Sequence, residues 1–147
     1  MVNLKITTAL FTVLLLFSCS HKSETETLFS HADTLIEEYP DSALQSLDLS
    51  PEEIEGLSDK ECARYALLLA RATDKCKLSL LPCDSLLNVA LDYYDDDEKE
   101  KAVALLYKGR LAVEMEEVKE AISYLQEGLT IIQNFPKELK TKKLLLS

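Results

Sequence analysis

The chain has 147 residues, of which 47% are apolar and 29% are charged, enough for one domain with a hydrophobic core. Three Gly, four Pro and no Trp disfavour a turn-rich β-sandwich or barrel and a Gly-rich phosphate-binding loop. Sixteen basic and 26 acidic residues give a net charge of −10, which repels nucleic acid phosphates and anionic lipid headgroups. Composition therefore predicts a small, acidic, helical protein that does not bind nucleic acid.

Residues 1–18 have the order of a secretory signal peptide. Lys5 precedes an apolar run over residues 6–17, shorter than the roughly 20 residues that a membrane-spanning helix needs. The run ends in the letters LFSC at residues 16–19, which resemble the lipobox of bacterial lipoproteins. This resemblance implies that Cys19 is lipidated and begins the mature chain. The alternative is an ordinary signal peptide followed by a chance cysteine.

After the leader, residues 19–27 are predicted to form a flexible tether and residues 28–147 a helical-repeat domain. Removal of residues 1–18 takes away Lys5 and no acidic residue, so the net charge falls by one, from −10 to −11. Such a domain is not held at an anionic membrane by its own charge, so the lipid on Cys19 supplies the membrane contact. We expect a membrane-anchored lipoprotein of the cell envelope, on the periplasmic or the outer-membrane side.

A repeated pattern of helix pairs extends over the domain and is clearest in residues 102–135. Apolar residues recur there at helical spacing on both sides of Glu116-Glu117, a connection short enough to force an antiparallel pair. Small residues recur upstream at nearly equal intervals. In the first helices they are Ala32, Ala70 and Gly109, and in the second helices they are Ala43, Cys83 and Ala121. Three helix pairs in one register follow from this spacing.

Capping residues predict where several helices begin. Ser50 with Glu53 and Ser58 with Glu61 have the spacing of capping boxes, in which each end of the motif satisfies the other's backbone amide. Asp97 belongs to an acidic run that precedes a helix. This run lacks the spaced oxygens and the Gly of a calcium loop, so capping is the favoured interpretation.

Residues 102–135 resemble the tetratricopeptide repeat, a short helix–turn–helix unit that recurs in tandem. They depart from the family pattern at Ala112, where an aromatic residue is usual, and at Glu116, where Gly is usual. The residues that carry the resemblance are Leu105, Gly109, Ala121, Leu125 and Gly128. Together with the leader and the letters RYALLLA at residues 64–70, they make the chain similar to tetratricopeptide-repeat lipoproteins of the Bacteroides type.

The resemblance implies an all-α fold of about three antiparallel helix pairs, stacked as a short right-handed α-solenoid. It also implies a concave groove that binds an extended protein or peptide, because Arg71 and Arg110 occupy positions that face the groove in the family. The alternative is that Asp74 and Glu114 neutralise these arginines within their own helices. The candidate groove residues are Leu67, Arg71, Leu106, Arg110 and Glu114.

No catalytic or metal-binding pattern emerges from the sequence. Cys62, Cys76 and Cys83 do not form a C-x-x-C motif, and both histidines lie far upstream, which disfavours a zinc site. Cys76 and Cys83 could form a disulfide in an oxidising compartment, or could remain unpaired thiols. No nucleophile and base can be placed together, so we expect neither an enzyme nor a cofactor.

Two hypotheses about function follow. The first is a lipid-anchored scaffold that binds a protein or peptide in the cell envelope without catalysis. The second is a truncated sensor module related to repeat-containing transcriptional regulators, which the longer relatives of this type suggest. The apolar residues Leu144–Leu146 near the C-terminus leave three options: a partial cap, a shortened array, or an open end that docks a partner or a second copy.

Overall fold

In the computed structural model, the backbone is described for residues 20–135 and the side chains from Glu24 to Phe135. Cys19, the leader and residues 136–147 lie outside these ranges. The described residues form seven α-helices and no strand, which confirms the all-α prediction. The helices are α1 Ser20–Leu35, α2 Pro40–Ser46, α3 Pro51–Glu55, α4 Asp59–Lys75, α5 Asp84–Tyr93, α6 Glu98–Glu114 and α7 Val118–Asn134, with a 3₁₀ turn at Leu81–Cys83 before α5.

The helix starts follow the capping pattern of the sequence. The Ser50 amide donates to Glu53 Oε2 over 2.8 Å, and the Glu53 amide donates to Ser50 Oγ over 3.3 Å. The Ser58 amide donates to Glu61 Oε2 over 2.9 Å. The Asp97 carboxylate accepts bonds from two amides in the first turn of α6. Capping at these three positions is therefore confirmed.

The first helix begins earlier than the sequence suggests. A flexible tether is expected over residues 19–27, yet α1 starts at Ser20, so the tether prediction is wrong for residues 20–27. No Gly or Pro interrupts the chain between residue 20 and Pro40, and Glu26 forms an ion pair with Arg64 of α4. A contact to α4, added to a segment without helix breakers, extends the helix towards the N-terminus.

Helices α6 and α7 form a closely packed antiparallel pair. A Cβ atom built on Gly109 would lie 2.6 Å from Leu125 Cγ, and one built on Gly128 would lie 3.3 Å from Leu105 Cβ. Residue numbers rise along α6 as those of the contacted residues fall along α7, so the helices run in opposite directions. Without a side chain at either glycine, the two backbones approach closely.

The turns that end α4 and α6 have the same conformation. Lys77 and Glu116, which follow these helices at equivalent places, both have φ of 61°. In each turn the next amide reaches back to the carbonyl five positions earlier, over 3.0 Å in the first and 2.9 Å in the second. This is the geometry of a Schellman cap, in which a left-handed residue ends the helix. The shared turn supports the register that the sequence indicates.

The helices pack in the order expected of consecutive pairs. Helix α1 contacts α2 and α4, α4 contacts α5, and α6 contacts α4, α5 and α7. The small residues that mark the repeat, including Ala32, Ala70 and Ala121, are buried where helices meet. Two groups of buried side chains fill the interior, one around Phe29 and Leu47 and one around Leu80 and Leu87. The core therefore lies within and between neighbouring pairs.

Candidate functional site

The structure does not bring the five predicted groove residues together on an open surface. Leu67 is 4% exposed and belongs to the core that α4 shares with α5 and α6, so its assignment to a groove is wrong. Leu106, at the equivalent position of α6, is 44% exposed. Its exposure differs because no further described helix packs on α6 in the way that α6 packs on α4.

Arg71 is bound to the neighbouring helix α1 and not to its own helix. Its Nη1 donates to Asp33 Oδ1 over 2.6 Å, and its Nη2 lies 3.7 Å from Glu37 Oε1. Lys75 Nζ donates to the other oxygen of Glu37 over 2.6 Å. The alternative of an intrahelical partner for Arg71 is therefore also wrong, and this guanidinium already has carboxylate acceptors.

Arg110 and Glu114 likewise serve contacts between helices. Arg110 pairs with Asp74 of α4. The Glu114 carboxylate accepts bonds from the Leu80 amide over 3.0 Å and from Ser79 Oγ over 2.8 Å. Glu114 thus holds the entry to the 3₁₀ turn that precedes α5, and it does not neutralise Arg110.

These pairs form a regular ladder across the face made by α1 and α4. Three acidic residues of α1 each meet a basic residue of α4 at the same sequence separation. The pairs are Glu26 with Arg64, Asp33 with Arg71 and Glu37 with Lys75. All six side chains are partly exposed, so each pair contributes about 0–1 kcal/mol to stability. The ladder aligns the helices and leaves these charges paired.

An apolar surface covers the other end of the molecule, where α6 and α7 meet solvent. On α7 the exposed apolar residues follow one another at intervals of four, three, four and three, which places them in one stripe. Leu125 of this stripe lies over Gly109, between two exposed residues of α6. We call this surface the open face, and its members are Leu106, Val113, Val118, Ile122, Leu125, Leu129 and Ile132.

The open face has a buried counterpart in the second helix pair. Leu80 and Leu87 are 1% and 0% exposed, whereas Val118 and Leu125, at the equivalent positions of the third pair, are 64% and 38% exposed. We call this counterpart the covered face, because α6 packs on it. Its members are Leu67, Leu80, Leu87, Leu91 and Tyr94, which match Leu106, Val118, Leu125, Leu129 and Ile132 of the open face.

The two faces differ in charge as well as in exposure. Where α6 docks on the covered face, Lys108 Nζ donates to Asp84 Oδ1 over 2.6 Å, and Arg110 pairs with Asp74. The Lys108 side chain is largely buried and also lies 5.7 Å from the ring centroid of Tyr124. On the open face the positions of Asp74 and Asp84 are occupied by Val113 and Ile122.

The three described cysteines are unpaired thiols, so the alternative of a Cys76–Cys83 disulfide is not what the structure shows. Cys76 Sγ lies 3.5 Å from Asp41 Oδ1, and burial, followed by this hydrogen bond, raises the pKa of Cys76. Burial also raises the pKa of Cys83, which fills the position of a small core residue. Neither thiol has the lowered pKa of a reactive cysteine.

A shallow depression of about 410 Å³ lies beside α5, α6 and α7. Lys101 stands in it with Nζ 2.6 Å from Asp95 Oδ1 and 3.5 Å from Glu127 Oε1. The hydrogen bond to Asp95 raises the pKa of Lys101 and lowers the pKa of Asp95. In the part of the chain that the structure describes, no three His, Cys, Asp or Glu side chains are placed to hold a metal ion.

None of the described helices is both long enough and apolar enough to cross a membrane. No family model, curated protein or solved structure matches the chain. The sequence interpretation included an open end that docks a partner or a second copy, but it did not assign the α7 residues of the open face, since their stripe is typical of an ordinary buried helix face. The signal that could have revealed it is the change from Asp74 and Asp84 to Val113 and Ile122 within an otherwise repeated pattern.

Proposed function

We propose that the chain is a lipid-anchored, non-catalytic scaffold of the bacterial cell envelope, and that it binds protein through the open face. The observation that carries the proposal is the exposure of seven apolar side chains on the neighbouring helices α6 and α7. Large apolar patches on a protein surface mark interaction sites more often than isolated exposed residues do. The positions involved are equivalent to those that bind a helix within the same molecule.

The proposed scaffold is a short right-handed solenoid of three tetratricopeptide-like pairs, α1–α2, α4–α5 and α6–α7. Two features support it: the left-handed caps at Lys77 and Glu116, and the packing of α4 against helices of both neighbouring pairs. In such a stack each pair leaves one face for its neighbour, so the last described pair presents a face on which no described helix packs.

The anchor is proposed from the sequence of residues 1–19 alone. The lipid on Cys19 attaches the protein to a membrane that repels an acidic domain. Replacing Cys19 with Ala should release the protein into the soluble fraction after cell lysis. Persistence of Cys19→Ala protein in washed membranes would contradict the anchor, whatever the open face binds.

The open face replaces the arginine groove as the proposed binding surface. Arg71 and Arg110 are engaged by Asp33 and Asp74, so capturing a ligand carboxylate would require breaking an ion pair. The open face has no such cost, because its members are apolar and already exposed. Burying them contributes about 25 cal/mol per Å² removed from water.

The proposal is tested by photo-crosslinking in cells that produce the full-length chain. A photoreactive amino acid at Leu129 reports on the open face, and the same amino acid at Glu52, an exposed residue of α3, is the matched control. Irradiation should give intermolecular products from position 129 and none from position 52. Absence of any intermolecular product from position 129, at equal expression, would contradict the proposed function.

A further inference from the structure

We infer that the occupant of the open face is a second copy of this chain, with the two α7 helices packed antiparallel about a two-fold axis near Leu125. This inference rests on the proposed function, because it identifies the partner of the same surface. The stripe is centred on Leu125. When the second α7 runs in the opposite direction, Ile122 therefore lies against the partner subunit's Leu129, and Val118 lies against the partner subunit's Ile132. The same apolar patch is then used by both copies, as an isologous interface requires.

The charge around the stripe favours self-pairing. The chain carries a net charge of −10, so two copies repel each other over most of their surfaces. Along α7, Glu120 projects opposite the stripe, and Glu127 is turned towards Lys101 of α6. The flank away from α6 holds Lys119, Ser123, Gln126, Thr130 and Gln133. Two copies that meet along this flank of α7 therefore bring no acidic residue of the flank together.

The arrangement also avoids contacts between like charges on the flank. In an antiparallel pair, Lys119 of one copy lies near the partner subunit's Gln133, and Gln126 lies near its own equivalent at the axis. The Thr130 hydroxyl already donates to the Gln126 carbonyl over 2.8 Å. The polar residues of this flank can therefore face the same residues of a second copy without a contact between like charges. Binding to a different protein would not require this property.

The face is unsuited to another helix of the α6 type. Helix α6 brings Lys108 and Arg110 to the covered face, where Asp84 and Asp74 receive them. A helix with a cation equivalent to Lys108, whose side chain is 10% exposed, would find Ile122 on the open face and would leave that charge unpaired, which is costly in a buried contact. The open face of a second copy would instead place only apolar side chains against Ile122 and Val113.

The test uses the full-length chain in the membranes of the cells that produce it. Gln126→Cys places a thiol beside the proposed axis, and Glu120→Cys places one on the opposite side of α7 as the matched control. Treatment with a short bismaleimide should give a covalent dimer from Gln126→Cys. The wild-type chain and Glu120→Cys show the background from Cys62, Cys76 and Cys83.

Adding Ile122→Gln and Leu129→Gln to Gln126→Cys should reduce the dimer about tenfold or more, because buried anchors dominate interface energy. Equal dimer from Gln126→Cys and Glu120→Cys would overturn the inference. Crosslinking of Gln126→Cys to a different protein would overturn it as well, while leaving the proposed function intact. A dimer that forms only after residues 136–147 are deleted would also overturn it, since the chain would then cover its own face.

Discussion

The second helix pair buries Leu80 and Leu87 beneath α6, whereas the third pair leaves the equivalent Val118 and Leu125 exposed. Both pairs share the same turn, with φ of 61° at Lys77 and at Glu116. The two pairs thus have a similar backbone and a similar apolar face, but this face is buried in the second pair and exposed in the third. Among the described residues, the open face is exposed because no described helix packs on it, and not because its local fold differs.

The second and third pairs also differ in the sizes of the side chains that their two helices contribute to the contact between them. Ala66 and Ala90 of the second pair correspond to Leu105 and Gly128 of the third. A large residue on α6 is thus matched by the smallest residue on α7, with 3.3 Å from Leu105 Cβ to a Cβ built on Gly128. The larger side chain on α6 is offset in part by the loss of a side chain on α7.

The largest expected effect on stability distinguishes the covered face from the open face. Leu87→Ala should lower the free energy of unfolding by about 2–5 kcal/mol, because it leaves a cavity under α6. Leu125→Ala should cost only about 1 kcal/mol, because this side chain is already partly in water. Urea denaturation followed by far-ultraviolet circular dichroism measures both, on residues 19–147 with Cys19→Ser and at a protein concentration at which the chain is monomeric. Equal losses would contradict the difference in burial.

The next largest effect on stability tests how closely α6 and α7 pack at Gly109 and Gly128. Gly128→Ala should destabilise the protein by about 1 kcal/mol despite its gain in helix propensity, because Leu105 Cβ cannot move without α6. Gly109→Ala recreates the Ala70 and Leu87 combination of the second pair, so the change should stay within about 0.5 kcal/mol as Leu125 turns outward. Leu105→Ala should partly rescue Gly128→Ala, and no rescue would contradict size compensation.

The shared turn gives a smaller, stabilising effect. Lys77→Gly and Glu116→Gly should each raise the free energy of unfolding by about 0.5–1 kcal/mol, because glycine adopts a positive φ without steric cost. The two gains should agree, since the turns have the same conformation. A gain at one position only, measured by the same denaturation, would show that the two turns are not equivalent in solution.

The smallest effect concerns the charge ladder. Arg71→Ala should cost no more than about 1 kcal/mol, because the ion pair with Asp33 is partly exposed. It should also leave crosslinking from position 129 unchanged, since the ladder is distant from the open face in the fold. Loss of intermolecular products in Arg71→Ala, with normal stability, would restore the groove hypothesis.

Local features of the fold were predictable from the sequence, because they depend on neighbouring residues. The capping boxes at Ser50 and Ser58 and the repeated small residues are of this kind. The partners of Arg71 were not predictable, since they depend on how α1 lies beside α4. Leu67 was misassigned for the same reason: the sequence does not show that α6 packs over its position.

The central claim is that the open face joins two copies of the chain. It is tested most directly by light scattering on residues 19–147 with Cys19→Ser, at increasing protein concentration. We expect a molar mass that rises to twice that of the monomer for the wild type, and a monomer at every concentration for Ile122→Glu, which places a charge inside the interface. A wild-type protein that remains monomeric throughout, with the same mass as Ile122→Glu, would contradict it.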